Sequence, residues 1–168
     1  MTDARGLVSS LCSSIPDLDA AAAEAARQRQ GILTKPPGSL GRLEELSVQL
    51  AAMTGQARPR LTSKAIFTFA GDHGVVAEGV SAFPQAVSVQ MVANFLRGGA
   101  AVNVLARQVG ARVIIADLGL AGEVPGDTGG LHKLRVADGT TNMAVGPAMS
   151  EEQMFQAIAA GASLVAAE

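Results

Sequence analysis

The spacing of apolar residues divides the chain into a helical stretch followed by one that alternates strand with helix. Residues 20–30 are dominated by alanine, the strongest helix former, after the polar opening Asp17-Leu18-Asp19. Gly31 stands where a C′ glycine would end that helix. Pro36, Pro37, Gly38 and Gly41 exclude a helix interior over residues 34–42. Leu40, Leu43, Leu46, Leu50 and Met53 then recur at spacings of three and four, predicting an amphipathic helix that stops at Gly55. Residues 1–60 are read as one helical segment.

Past residue 61 the period changes. Residues 65–70 form a short run rich in strand formers, read as a buried strand ending at Gly71-Asp72. Pro84 suits the first turn of a following helix, on which Val87, Met91 and Phe95 mark one face. Gly98-Gly99 breaks it, and residues 100–109 predict a second helix closed by Gly110. Residues 112–118 read as another buried strand, so the order strand, helices, strand predicts parallel neighbours with a right-handed crossover. A glycine-rich loop spans 119–130, and residues 132–136 suggest a third, shorter strand. Ser150-Glu151-Glu152-Gln153 is a capping-box pattern opening a last helix. The fold class is therefore α/β, a parallel sheet covered by helices. No stop signal follows that helix before Glu168, and two or three strands are few for such a sheet, so the chain is expected to be truncated.

Composition narrows the function. The 168 residues are 48% hydrophobic and 17% charged, which excludes a disordered chain. A net charge of −2 and the lack of Trp and Tyr argue against nucleic-acid and anionic-membrane partners. No apolar run reaches spanning length and no signal pattern opens the chain, so a soluble, cytoplasmic protein is expected. One cysteine, Cys12, excludes an internal disulfide. His73 and His132 lack metal-ligand spacing, and neither metal nor cofactor is expected.

Candidate chemistry collects at strand ends, where open α/β sheets bind ligands. Asp72-His73-Gly74 directly follows the first strand, and Asp117 ends the second. Two readings stand: a substrate-facing carboxylate and imidazole, or an aspartate that caps a turn beside a histidine bonded to backbone. Residues 35–41 precede a helix N-terminus but match neither the Walker nor the Gly-x-Gly-x-x-Gly pattern, so composition favours a rigid connector over an anion site. Phe83 either stacks on a flat ring or packs as an ordinary aromatic.

Four strings together carry a resemblance: Thr34-Lys35-Pro36-Pro37-Gly38-Ser39-Leu40-Gly41-Arg42-Leu43-Glu44; Gly71-Asp72-His73-Gly74 running on through Gly79-Val80-Ser81-Ala82-Phe83-Pro84; Gln90-Met91-Val92 with Asn94-Phe95-Leu96-Arg97-Gly98-Gly99; and Gly139-Thr140-Thr141-Asn142-Met143-Ala144 with Gly146-Pro147-Ala148-Met149. From about Gln30 onward the chain resembles the nicotinate-nucleotide:dimethylbenzimidazole phosphoribosyltransferases of cobalamin lower-ligand synthesis. The resemblance implies a homodimeric, cytoplasmic, Rossmann-like enzyme whose small helical domain is built from both chain ends, the helical segment here belonging to it. It implies transfer of phosphoribose from nicotinate mononucleotide to 5,6-dimethylbenzimidazole, with inversion at C1′, yielding α-ribazole 5′-phosphate and nicotinate.

By the same resemblance, Phe83 packs on the benzimidazole and Ser81 and Gln90 supply polar contacts. Asp72 and His73 belong to an active-site loop, and Pro36, Gly38 and Ser39 border the site. The family's phosphate-gripping segment and its glutamate base are expected beyond Glu168, so no catalytic residue is assigned to Glu44, Glu78 or Glu123. A noncatalytic module binding benzimidazole-like or nucleotide ligands is the competing reading.

Overall fold

The computed structural model describes residues 3–168, in two compact units: residues 14–62, and residues 3–13 with 63–168. The first helix, α1 (Ala4–Ser14), groups with the second unit, where Arg5 pairs with Glu151 at 2.8 Å and lies over the Phe155 ring.

The helical unit holds α2 (Ala20–Ile32) and α3 (Arg42–Thr54). Asp19 caps α2, its carboxylate accepting from the Ala22 amide at 2.8 Å. Gly31 does not end the helix as expected; α2 runs through it to Ile32, and extended Leu33 stops it ahead of Pro36. Gly55, at φ 65°, does terminate α3 in the left-handed conformation. The two helices meet through alanines, with Ala22, Ala23, Ala26, Ala51 and Ala52 buried. The leucine stripe of α3 is turned elsewhere: Leu43, Leu46 and Met53 are exposed. Small side chains allow the helices to approach closely, which larger ones at the seam would prevent.

Among the described residues of the other unit, β1 (Ala65–Gly71), β2 (Arg112–Gly119) and β3 (Leu131–Lys133) form one sheet in the order β1-β2-β3. Both pairings are parallel, with Phe67 opposite Ile114 and Ala116 opposite His132. Helices α4 (Ala86–Leu96) and α5 (Ala101–Val109) make the crossover between β1 and β2. The central strand is the buried one. Ile115 packs with Val92 and Leu120 on one face, while Ile114 and Ala116 pack with Leu164 of α6 (Glu151–Ala167) on the other. In contrast to the buried strand expected, β1 is an edge with no buried residue, because only β2 hydrogen-bonds to it.

Helix α4 also turns a different face to the core than its i, i+4, i+8 stripe suggests. Of that stripe only Phe95 packs against the sheet cluster, beside Val89, Val92 and Leu96, while Val87 and Met91 line open space. Ser150 and Gln153 close the reciprocal capping box of α6.

Candidate functional site

Strand β1 delivers Asp72 and His73 to the carboxyl edge of the sheet, where the chain leaves it for α4. Asp72 is buried at 5% exposure and ties three segments together. Its amide donates to Gly119 at 2.8 Å, its carbonyl accepts from Thr140 at 3.0 Å, and its carboxylate accepts from the Ala121 amide at 2.9 Å. The carboxylate thus ties the end of β1 to the loop after β2, a contact 49 positions apart rather than a local turn cap. His73 is exposed, with Nδ1 3.4 Å from the Thr140 hydroxyl.

Past His73, a 3₁₀ turn over Gly74–Glu78 leads through Gly79 to Ser81 and Phe83. Gly74 packs on backbone: a Cβ there would lie 2.6 Å from the Asn142 nitrogen and 2.7 Å from the Thr140 oxygen. The Ser81 hydroxyl is used within its own loop, accepting from the Phe83 amide at 3.2 Å and donating to its carbonyl at 3.0 Å. These bonds shape the turn that presents Phe83, a residue 68% exposed.

An open cleft of about 560 Å³ lies between this segment and α4. Asp72, His73, Ser81 and Phe83 all line it, together with Ser88 and Met91. Gln90 does not. It is exposed and stands outside the lining, because the helical turn that brings Met91 to the cleft rotates its neighbour away. A second, smaller cavity of about 250 Å³ shares Phe69–His73 as a wall and is closed by Thr140, Met149, Gln153 and Ala157. The first cleft is mostly apolar with a few polar groups in its lining, which suits a flat heteroaromatic ring.

Asp117, the other strand-end carboxylate, is structural. It is 3% exposed and accepts from the Gly119 and Leu120 amides at 3.0 and 2.8 Å. Its Oδ2 meets both Nε and a terminal nitrogen of Arg135 at 2.9 Å. Arg135 also holds exposed Glu123 and Asp138, and the Asp117 hydrogen bond, ahead of the nearby charges, pushes its pKa further up. Arg135 is the residue that the sequence reading missed: it lies 18 positions from Asp117, with no local pattern to connect them.

In the helical unit, Pro36, Gly38 and Ser39 form a tight turn, with the Ser39 amide donating to Pro36 at 3.1 Å and Gly38 at φ 74°. Lys35 pairs with Glu44 at 2.6 Å, and Glu44 also accepts from the Leu40 amide. The Lys35 hydrogen bond, then the Leu40 amide, hold the Glu44 carboxyl below its ordinary range. Glu44 is thus the clasp of the connector. Glu78 accepts a hydrogen bond from Asn142. Among the described residues, no group of three or more His, Cys, Asp or Glu gathers to hold a metal, and no helix is long and apolar enough to cross a membrane.

Comparison with known proteins matches this geometry to a family. A model described as a phosphoribosyltransferase, DBI_PRT, matches residues 15–168. The chain is 57% identical over 155 residues to a protein of Chloroflexus aurantiacus named nicotinate-nucleotide--dimethylbenzimidazole phosphoribosyltransferase, covering 92% of this chain and 44% of that one. It is 54% identical to a protein of the same name from Roseiflexus, with the same coverage. A crystal structure of CobT from Thermus thermophilus superposes with a TM-score of 0.80 at 48% identity, covering 88% of this chain and 44% of that chain. The chain spans less than half the length of these relatives. With the family match over nearly its whole length, the chain belongs to the DBI_PRT phosphoribosyltransferase family.

Proposed function

We propose that this chain supplies the ring-binding part of an enzyme that transfers phosphoribose from nicotinate mononucleotide to 5,6-dimethylbenzimidazole. The single observation that carries the reading is the largely apolar cleft at the carboxyl edge of β1, lined by Phe83 and Met91 as well as by Asp72 and His73. A benzimidazole is flat and apolar, with ring nitrogens at one edge. The Phe83 ring and the Met91 thioether offer it packing surface, and His73 is among the polar groups of the lining.

The chemistry asks little acid catalysis of the protein. Nicotinate leaves from a cationic pyridinium, whereas the attacking benzimidazole must lose a proton to a carboxylate base. The two strand-end carboxylates and that of the connector are engaged in holding the fold: Asp72 accepts from the Ala121 amide, Asp117 holds Arg135, and Glu44 holds Lys35. That supports placing the base, and the phosphate grip, in the part of the relatives that this chain does not span. The contribution of the present residues is alignment, which in well-oriented reactions is worth about 7–11 kcal/mol of barrier. The helical unit, which carries Pro36, Gly38 and Ser39, belongs to a small helical domain in this reading. Gln90 has no contact role in it, and Met91 takes that place. In this reading, which follows the family resemblance, the working enzyme is a cytoplasmic homodimer.

The test joins residues 1–168 to the remainder of the Chloroflexus relative and supplies nicotinate mononucleotide and dimethylbenzimidazole. The chimera is expected to form α-ribazole 5′-phosphate, and the chain alone is not. A folded chimera that forms none would refute the reading.

A further inference from the structure

The segment between β1 and α4 is fastened to residues 139–142 by backbone and side-chain contacts. Two are backbone contacts: the Thr140 amide donates to the Asp72 carbonyl and the Gly74 amide to the Thr140 carbonyl, each at 3.0 Å. The Thr140 hydroxyl lies 3.4 Å from both the Gly74 amide and His73 Nδ1. Further along, Asn142 Nδ2 donates to Glu78 Oε1 at 2.6 Å. Glu78 is the last residue of the 3₁₀ turn, and Gly79 then reverses the chain at φ 70° toward Ser81 and Phe83. The Asn142 contact is therefore the tie nearest along the chain to Ser81 and Phe83.

Asn142 is itself held in one orientation. Its Oδ1 accepts from the Ala144 amide at 3.0 Å, which leaves the amide nitrogen to face Glu78. Its carbonyl accepts from the Val145 and Gly146 amides, and the neighbouring Thr141 amide donates to Ala148 at 2.8 Å. The Ala148 end of this loop is followed directly by the capped start of α6. A polar side chain locked so firmly on one loop, with its free donor aimed at a carboxylate on another, is a positioning device.

We propose that Asn142 is a positioning residue which, through Glu78, holds the segment carrying Phe83 at the cleft. Its effect on ligand binding rests on the function proposed above, but its effect on the segment does not.

The experiment compares amide hydrogen exchange in the chain and in three variants: Asn142→Asp, Glu78→Gln, and the two together. Asn142→Asp keeps the acceptor for Ala144 but sets two carboxylates against each other, whereas the double variant restores an amide facing a carboxylate with the roles exchanged. Protection at Gly74, Val76 and Gly79 is expected to fall by about tenfold in Asn142→Asp, as loss of a hydrogen bond to a charged group implies. It is expected to return to within about threefold in the double variant, with α5 amides unchanged throughout. Unchanged protection in Asn142→Asp, or a double variant no better than the single, would overturn the proposal. If Asn142→Asp fails to fold, rescue of folding by the double variant supports the proposal and failure to rescue overturns it. Dimethylbenzimidazole, added to the same samples, should bind Asn142→Asp more weakly than the parent chain. A parent chain that does not bind it counts against the proposed function alone.

Discussion

Gly74 lies against the Thr140 carbonyl so closely that its amide donates at 3.0 Å while a methyl on its Cα would sit 2.7 Å from the same oxygen. The loop after β1 and the loop after β3 are thus joined face to face, backbone on backbone, and neither can give way as a flexible side chain would. Gly74→Ala is expected to cost about 1–3 kcal/mol or more, by overpacking. Gly79→Ala, in open space but at φ 70°, should cost about 1 kcal/mol from strain alone. Gly146, with no neighbour and no positive φ, should accept alanine within about 0.5 kcal/mol. Denaturant unfolding of the three variants checks the order.

Arg135 is expected to be the most damaging single truncation outside the hydrophobic core. Arg135→Ala strands the buried Asp117 carboxylate, a loss of about 3–5 kcal/mol for a broken buried pair. Arg135→Lys should recover only part of it, because an ammonium cannot place two nitrogens on one oxygen as the guanidinium does. Asp117→Asn with Arg135→Met should be less harmful than Arg135→Ala alone, since no unpaired charge is left. Equal unfolding midpoints for Arg135→Ala and the parent chain would contradict this.

Much of the fold is legible in the sequence, and the shortfalls have physical causes. The run over 112–118 is apolar without alternation because β2 is covered on both faces, and that pattern identifies it. Residues 65–70 look the same yet form an edge, since composition reports what a strand can bury and not how many neighbours it has. Gly31 stops a helix in one context and continues it in another, because glycine tolerates both conformations. On α4, a stripe of Val87, Met91 and Phe95 is visible, but periodicity alone does not say whether it faces the sheet or a cleft. Asp72 and His73 are legible from their position at a strand end; Arg135 and Asn142 are not, because their partners lie 18 and 64 positions away.

Glu44 provides a pH signature confined to the helical unit. Its folded pKa is lowered, first by Lys35 and then by the Leu40 amide, so its contribution to stability is present above the ordinary glutamate range. That contribution is lost as pH falls through the lower folded value. An NMR titration of the Glu44 carboxyl should give a midpoint below the ordinary range, and Lys35→Met should raise it. A midpoint that Lys35→Met leaves in place would assign the shift elsewhere.

At the cleft, Phe83 and Met91 should govern affinity and Gln90 should not. Phe83→Ala is expected to weaken dimethylbenzimidazole binding by about threefold to tenfold, the worth of one aromatic contact. Because the ring is 68% exposed, stability should change by no more than about 0.5 kcal/mol. Gln90→Ala should leave the affinity unchanged, while Met91→Ala lowers it. Calorimetric titration of the three variants distinguishes these outcomes.

The most direct measurement is an amide and methyl NMR titration of this chain with 5,6-dimethylbenzimidazole. Weak, saturable shifts are expected that begin at Ser81, Phe83, Ser88 and Met91 and extend to Asp72 and His73, with α5 silent. Shifts confined to the smaller cavity at Met149, Gln153 and Ala157, or none at millimolar ligand, would contradict it.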